Sequence, residues 1–346
     1  MGQYKTIDLF AGCGGLSLGL QRAGFRLLAA IEGDSLAART YAYNFPRTYI
    51  INKNIQDVDP KYVMQRLHLK AGELDLLAGC PPCQGFSSIR TLNGRRKVNE
   101  PRNELLFDFL RFVEAFRPKT IMFENVPGLI RERKFDRFCG SLSKFGYFYL
   151  HDVFDAAEYG VPQRRKRLIL TASAFGPIES PRPTRRRKYV RDAISHLKKP
   201  GRGSDSLHDY KENRLDRIVS LIKLIPHNGG DRQSLPLRKQ LSCHRRTDGF
   251  RDVYGRMSWD IPAPTMTGGC INPSKGRFIH PTQNRAITLR EAALLQGFPK
   301  SYFFSLEEGR YRAAEMIGNA FPPEFARRHA HMILRHLQSV ECGVRE

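Results

Sequence analysis

Acid is scarce in this chain of 346 residues: Asp and Glu number 34 against 57 Lys and Arg, for a formal net charge of +23. No low-complexity tail carries the excess, so a polyanion is the expected partner, nucleic acid ahead of membrane or acidic protein. Long apolar runs are lacking, and so is a basic amphipathic helix of the kind that lies on lipid, which argues against a membrane. Cysteines number only seven, irregularly spaced. They do not form a disulfide framework, and a reduced, cytoplasmic setting is expected (nucleoid-associated in a bacterium). A strand-like segment begins within a few residues of the start, so no signal peptide is expected. Internal repeats are absent. Hydrophobic residues make up 41% of the chain, enough for a sizeable core, and the length suggests one large domain and one smaller one.

The first half alternates strand-like and helix-like segments. "KTIDLF" (5–10), "RLLAAIE" (26–32), "LDLLAG" (74–79) and "TIMFENV" (120–126) read as strands. Between them, "GGLSLGLQRAG" has apolar residues at helical spacing and Gly24 as a C-terminal cap, "DSLAARTYAYNF" is opened by Asp34 and stopped by Pro46, and "NELLFDFLRFVEAF" is amphipathic. Such alternation predicts an α/β fold, doubly wound with a mainly parallel sheet, in which ligands sit beyond the carboxyl ends of the strands. The segment 10–15, Glu32, the segment 79–83 and Glu124 all fall at such ends. From about Ser173 the chain becomes rich in Arg, Lys, Gly and polar residues with little periodicity, which predicts a smaller, loop-rich domain. Expected boundaries are 1–175 for the large domain, 176–305 for the small one, and 306–346 for a segment returning to the large one.

"DLFAGCGG" is a glycine-rich turn where backbone amides and a helix N-terminus can receive a polar ligand. It departs from the dinucleotide fingerprint, because Gly12 and Gly14 fit but Ser17 stands at the third glycine position. Otherwise it is a tight strand–helix turn; Glu32, able to accept both ribose hydroxyls, favours the nucleotide-like ligand. Cys80 and Cys83 make a C-x-x-C pair, yet Cys243–His244 and His329/His331 supply no matching knuckle, so no metal is expected. A thioredoxin-like dithiol leaves the rest of the chain unexplained. A nucleophilic Cys83, stiffened by Pro81 and Pro82 in a loop past a strand end, fits better, with Cys80 a structural cysteine. Glu124, at the next strand end, is the candidate proton donor. In "QRRKR", period two puts Gln163, Arg165 and Arg167 on one face, suited to anion or base-edge contacts, the alternative being an exposed basic edge strand.

"DLFAGCGG", "GCPPCQGFS", "ENVPG", "QRRKR", "TLREAALLQGFP" and "IGNAFPP" follow one another along nearly the whole chain. In that order they resemble the motifs of the DNA (cytosine-5) methyltransferases. The resemblance implies a Rossmann-like methyltransferase fold with S-adenosylmethionine as cofactor. It implies Cys83 as nucleophile toward cytosine carbon 6, Glu124 at ring nitrogen 3, Arg167 at oxygen O2 and Arg165 close by. Implied cofactor contacts are Phe10, Gly12, Gly14, Glu32, Asn54, Ile55, Pro81 and Asn319. One departure stands out: the family's Asp for the adenine amine is replaced by Asn54, so that Asn54 and Asp57 both remain candidates. The partner implied is double-stranded DNA with its target base flipped out, met by a monomer. Ser87, Arg90, Arg95 and Arg96 of the loop after the nucleophile, with Gln163, Arg245 and Arg251, are the expected DNA contacts. Base-reading loops are expected at 234–251 and 268–280. A companion restriction enzyme would suit a single-specificity recognition region. Rival readings are an RNA cytosine-5 methyltransferase of the same architecture, a nicotinamide-dependent oxidoreductase, and a DNA-binding protein with a dead site.

Overall fold

The computed structural model describes residues 4–82, 105–240 and 252–343. Packing divides the chain into two compact units. The first takes residues 1–155, 166–183 and 321–346, and the second takes 156–165 and 184–320.

In the first unit, strands β1 (Lys5–Leu9), β2 (Arg26–Ile31), β3 (Tyr49–Ile51), β4 (Leu76–Gly79), β5 (Thr120–Asn125), β6 (Phe148–Asp155) and β7 (Lys166–Ser173) form one seven-stranded sheet in the order β3-β2-β1-β4-β5-β7-β6. The β1–β2, β2–β3, β1–β4 and β4–β5 pairs are parallel, whereas β7 runs antiparallel to both β5 and β6. The central strands β4 and β5 are buried at every residue, as expected of strands covered on both faces. The order reverses direction at β1, and there the strands' carboxyl ends open toward a ligand.

Helices α1 (Gly15–Ala23), α2 (Ser35–Asn44), α3 (Pro60–Arg66), α4 (Leu105–Phe116) and α5 (Arg133–Lys144) connect these strands. Gly24 ends α1 in the left-handed conformation (φ 110°), and Asp34 caps α2 by accepting from the Ala37 amide at 2.9 Å. On one face of the sheet, Phe109 of α4 meets Phe123 of β5 edge-on at 5.6 Å, and Phe138 of α5 lies 4.8 Å from Phe123. Burying each of these rings is worth about 1.5–3 kcal/mol. That cluster claims Phe123 for one face, so alternation sends the next side chain, Glu124, to the other.

The second unit holds α6 (Val190–Ile194), α7 (Asp216–Leu224), α8 (Leu289–Leu295) and α9 (Gly309–Asn319), joined by long irregular stretches; α10 (Pro323–Glu341) belongs to the first unit. One apolar cluster in the second unit gathers Leu221, Ile222, Ile225, Leu235, Tyr254 and Ile279. Beside it lies Arg256, fully buried, donating to the carbonyls of Ile222 (2.9 Å), Ile225 (2.9 Å), His280 (3.0 Å) and Gln283 (2.7 Å) and to Asn284 Oδ1. A guanidinium here satisfies carbonyls that irregular backbone leaves without a ladder partner. Among the described residues, no helix is long and apolar enough to cross a membrane.

Candidate active site

The turn after β1 is built from left-handed backbone. Phe10 (φ 59°), Gly12 (φ 55°) and Gly14 (φ 93°) all take positive φ, a conformation that costs an L side chain about 1–2 kcal/mol. The amide of Ala11 is anchored on the Ile31 carbonyl at 3.0 Å, which joins the turn to the end of β2. A Cβ placed on Gly12 would meet nothing within 4 Å. Its requirement for glycine is therefore a matter of φ, and one side of the turn is open. Glu32 closes the other side: Oε2 accepts from the Gly12 amide and Oε1 from the Asp34 amide, both at 2.7 Å. Burial is the first cause that raises this carboxyl above the usual carboxylate range. An ionised carboxylate has about four acceptor sites, so both oxygens keep acceptor capacity toward hydroxyls. Asn54 is exposed and Ile55 buried; the Asn54 side-chain oxygen Oδ1 lies 2.7 Å from where a Cβ on Gly33 would stand. The strand end at Glu32–Gly33 and Asn54 are thus in close contact. Asp57 is also exposed.

Beneath the turn lies a group of residues outside the predicted site. Asp8, fully buried in β1, accepts from Ser17 Oγ at 2.6 Å, and Ser17 Oγ lies 2.8 Å from Tyr41 Oη. Burial pushes Asp8 up to about 7. The available signal was Ser17, read as a missing glycine when it is a hydrogen-bonding partner.

A second cluster forms where β4, β5 and β7 come side by side. Gly79 of β4 pairs with Phe123 of β5, which brings Cys80 level with Glu124 on the same face. Glu124 is buried and accepts an ion pair from Arg167 Nε at 2.8 Å. Arg167 also donates through Nη1 to the Lys166 carbonyl at 2.7 Å. The Cys80 thiol is raised well above its ordinary value by burial, then by the charges of Glu124 and Asp8 and a hydrogen bond with Glu124. A thiol held protonated is a poor nucleophile. Asn125 braces the loop: Nδ2 donates to the carbonyl of Pro81 at 3.0 Å, and its Oδ1 accepts from the Val126 amide at 2.8 Å. Pro81 is buried and Pro82 exposed. Cys83, Ser87, Arg90, Arg95 and Arg96, and likewise Arg245 and Arg251, lie outside the described residues.

The "QRRKR" segment departs from its expected role. Gln163 is fully buried; its Oε1 accepts from the Met266 amide at 2.7 Å, and its Nε2 donates to Gln296 Oε1. Both ends of this amide, expected at the DNA, are engaged inside the protein. Arg165 is buried as well, with Nη1 donating to the Met266 and Gly318 carbonyls at 3.0 Å each. Its guanidinium, expected close to the cytosine ring, thus holds backbone carbonyls. Period two did sort the side chains by face, and the inward face meets other protein groups: the Met266 amide and Gln296 for Gln163, carbonyls for Arg165, the Glu124 carboxylate for Arg167. Asn319, the last residue of α9, is exposed. In the expected base-reading stretch 268–280, Ser274 and Lys275 are exposed, whereas Arg277 is tied to Asp252 Oδ1 and the Gly229 carbonyl, both at 2.8 Å.

A sheet of this order, with a glycine turn and an acid at the ends of β1 and β2, is a Rossmann-like fold of the S-adenosylmethionine-dependent methyltransferases. The chain belongs to the C-5 cytosine-specific DNA methylase family, whose model matches residues 4–335, and it is a DNA cytosine-5 methyltransferase. It is 38% identical to the Type II methylase M.HgiDII of Herpetosiphon aurantiacus, with 97% of this chain and 96% of the relative aligned. To the Type II methyltransferase M1.BsuMI of Bacillus subtilis (strain 168) it is 33% identical, with 92% and 78% covered. Among solved structures, a protein encoded within an E. coli prophage and described as a DNA modification methyltransferase superposes with a TM-score of 0.71 at 24% identity, covering 97% of this chain and 99% of that one. At that identity the likeness speaks for the fold alone. The family implies S-adenosylmethionine as methyl donor.

Proposed function

We propose that the chain methylates carbon 5 of a cytosine flipped out of one specific duplex DNA sequence, through a covalent adduct with Cys83, as the modification half of a restriction–modification system. The observation that carries this reading is the Glu124–Arg167 pair at 2.8 Å, level with the strand end that leads, through the Asn125-braced Pro81, to Cys83. A buried carboxyl and a guanidinium together match the N3 and O2 edge of cytosine. The Cys83 thiolate adds to carbon 6, giving up its electron pair to a new carbon–sulfur bond. Glu124 donates a proton or hydrogen bond to N3, and Arg167 holds O2, so the ring's displaced electrons make carbon 5 nucleophilic. S-adenosylmethionine, when bound, supplies an electrophilic methyl group. Once carbon 5 carries the methyl group, its proton passes to water, the C5–H electrons re-form the 5,6 double bond, and the C6–S bond breaks to release the Cys83 thiolate.

The open side of the glycine turn and the acceptor capacity of Glu32 suit the adenosine half of that donor. Phe10, Gly12, Gly14, Glu32, Asn54, Ile55, Pro81 and Asn319 are its proposed contacts; between Asn54 and Asp57, the contact of Asn54 with Gly33 favours Asn54 for the adenine amine. The charge of +23 suits duplex DNA met by a monomer in the cytoplasm. Ser87, Arg90, Arg95, Arg96, Arg245 and Arg251 remain the proposed DNA contacts.

Incubation with labelled S-adenosylmethionine should label duplex DNA and leave transfer RNA unlabelled, and bisulfite sequencing of DNA from expressing cells should show one methylated word. Cys83→Ser should abolish transfer to the detection limit while DNA binding persists. Full turnover by that variant would remove Cys83 from the chemistry.

A further inference from the structure

The geometry points to Gln296, Gln163 and Arg165 as positioning residues for the cofactor: together they clasp the backbone on which Asn319 is mounted. This rests on the reading that Asn319 contacts S-adenosylmethionine.

Helix α9 ends at Asn319 and the chain turns at once into Ala320, Phe321 and two prolines. A helix leaves its last carbonyls without intrahelical donors, and a glycine C-cap usually supplies the remedy. Here side chains supply it. Gln296 Nε2 donates to the carbonyls of Ile317 (2.7 Å), Ala320 (2.9 Å) and Gly318 (3.4 Å). Arg165 donates to Gly318 through Nη1 at 3.0 Å and to Asn319 through Nη2 at 3.5 Å. Carbonyls 317 to 320 are thus each held from outside the helix, and Arg165 adds a cation at the negative end of the helix dipole.

The holders are themselves held. Gln163 Nε2 donates to Gln296 Oε1, which fixes the Gln296 amide with its nitrogen toward α9. Gln163 Oε1 accepts from Met266, and Arg165 reaches the Met266 carbonyl at 3.0 Å. A Cβ on Gly318 would collide with the backbone of Thr267 and Gly268, so the helix end also lies flush against the root of the 268–280 stretch. Gln163 and Gln296 are fully buried, whereas Asn319 alone in this group is exposed. An exposed side chain whose own backbone is fixed on both sides is preorganised for a ligand.

A role confined to stability would lower the melting temperature and leave ligand affinity alone; a positioning role must act through Asn319. The test is a double-variant cycle on the full chain, reading the dissociation constant of S-adenosylhomocysteine well below the melting temperature. Gln296→Leu should weaken binding about two- to thirtyfold, Gln163→Leu less, and adding either to Asn319→Ala should bring little further loss. Should Gln296→Leu fail to fold, Gln163→Leu carries the same cycle. Losses that add in full, or unchanged affinity in the glutamine variants, would overturn the proposal. If Asn319→Ala binds normally while Glu32→Ala binds weakly, the clasp falls and the methyltransferase reading stands. If Glu32→Ala also binds normally, the cofactor reading itself falls.

Discussion

The two compact units solve the burial of backbone polar groups in opposite ways. In the first, the ladders of a seven-stranded sheet pair backbone amides and carbonyls with one another, so side chains in the interior are left to pack. The polar ones that matter, Glu32, Glu124 and Arg167, collect at strand ends where function can use them. In the second unit, buried Arg256, Arg165 and Gln296 donate to backbone carbonyls, while Gln163 accepts from the Met266 amide and donates to Gln296. Gln163 and Arg165 of the "QRRKR" motif and Gln296 of "LLQGF" are therefore architecture, whereas a polar strand-end residue of the first unit, Arg167 of the same motif included, stands where chemistry can use it.

The sharpest way to break that contrast is Glu124→Gln. The amide keeps an acceptor for Arg167 at the same place but cannot deliver a proton to N3, so single-turnover methyl transfer should fall about 10²–10⁴-fold with the melting temperature unchanged. A large loss of stability here would erase the distinction. Arg256→Met should do the reverse. It removes donors from buried carbonyls and should destabilise the chain by about 3–5 kcal/mol in chemical denaturation; a variant as stable as the parent would show those bonds to be dispensable. Smaller in effect, Glu32→Ala should weaken S-adenosylmethionine by roughly ten- to a hundredfold, the value of a charged hydrogen bond of about 1.5–3 kcal/mol. The methylated word should stay the same, since Glu32 serves the cofactor and touches no base; a changed word would refute that division.

The same contrast accounts for what the sequence discloses. Where structure follows apolar period, as in β1, α1 and the Asp34-capped α2, elements and their ends can be read directly, and the convergence of Glu32, Glu124 and the Pro81 loop at one sheet edge follows from topology. Strand β6 escapes the reading because it is an edge strand with Phe148, Leu150, His151 and Asp152 exposed, so neither face carries a run of apolar residues. Gln163 and Arg165 were readable as inward-facing, but no periodicity says whether the inward face meets a ligand or a carbonyl. The Gln163–Gln296 pair joins residues 133 positions apart, beyond any local pattern. Asn125 was visible only as the neighbour of Glu124, yet it is the brace on Pro81.

Asp8 is the exception inside the first unit, a fully buried acid in the middle of a central strand, and it yields the smallest and most specific prediction. Burial is the main cause that raises it from 3.8 to about 7, with Glu32's charge adding and the Ser17 hydrogen bond opposing. Below its unfolded value of 3.8 the group is protonated in both states. Between there and about 7 the folded chain keeps a proton that the unfolded chain has released. Stability is therefore greatest at the acid end of that window and falls as pH rises through it, by at most about 1.4 kcal/mol per pH unit for this one group. Above the window both states are ionised and the dependence stops. Asp8→Asn is neutral throughout and still offers an oxygen to Ser17, so its denaturation midpoint should lack this component. The difference between the two pH profiles isolates Asp8 from every other titrating group. Were the profiles parallel, Asp8 would be ionised beneath the glycine turn, and the first unit would hold a buried carboxylate that, among the described residues, has no guanidinium against it such as Arg167 gives Glu124.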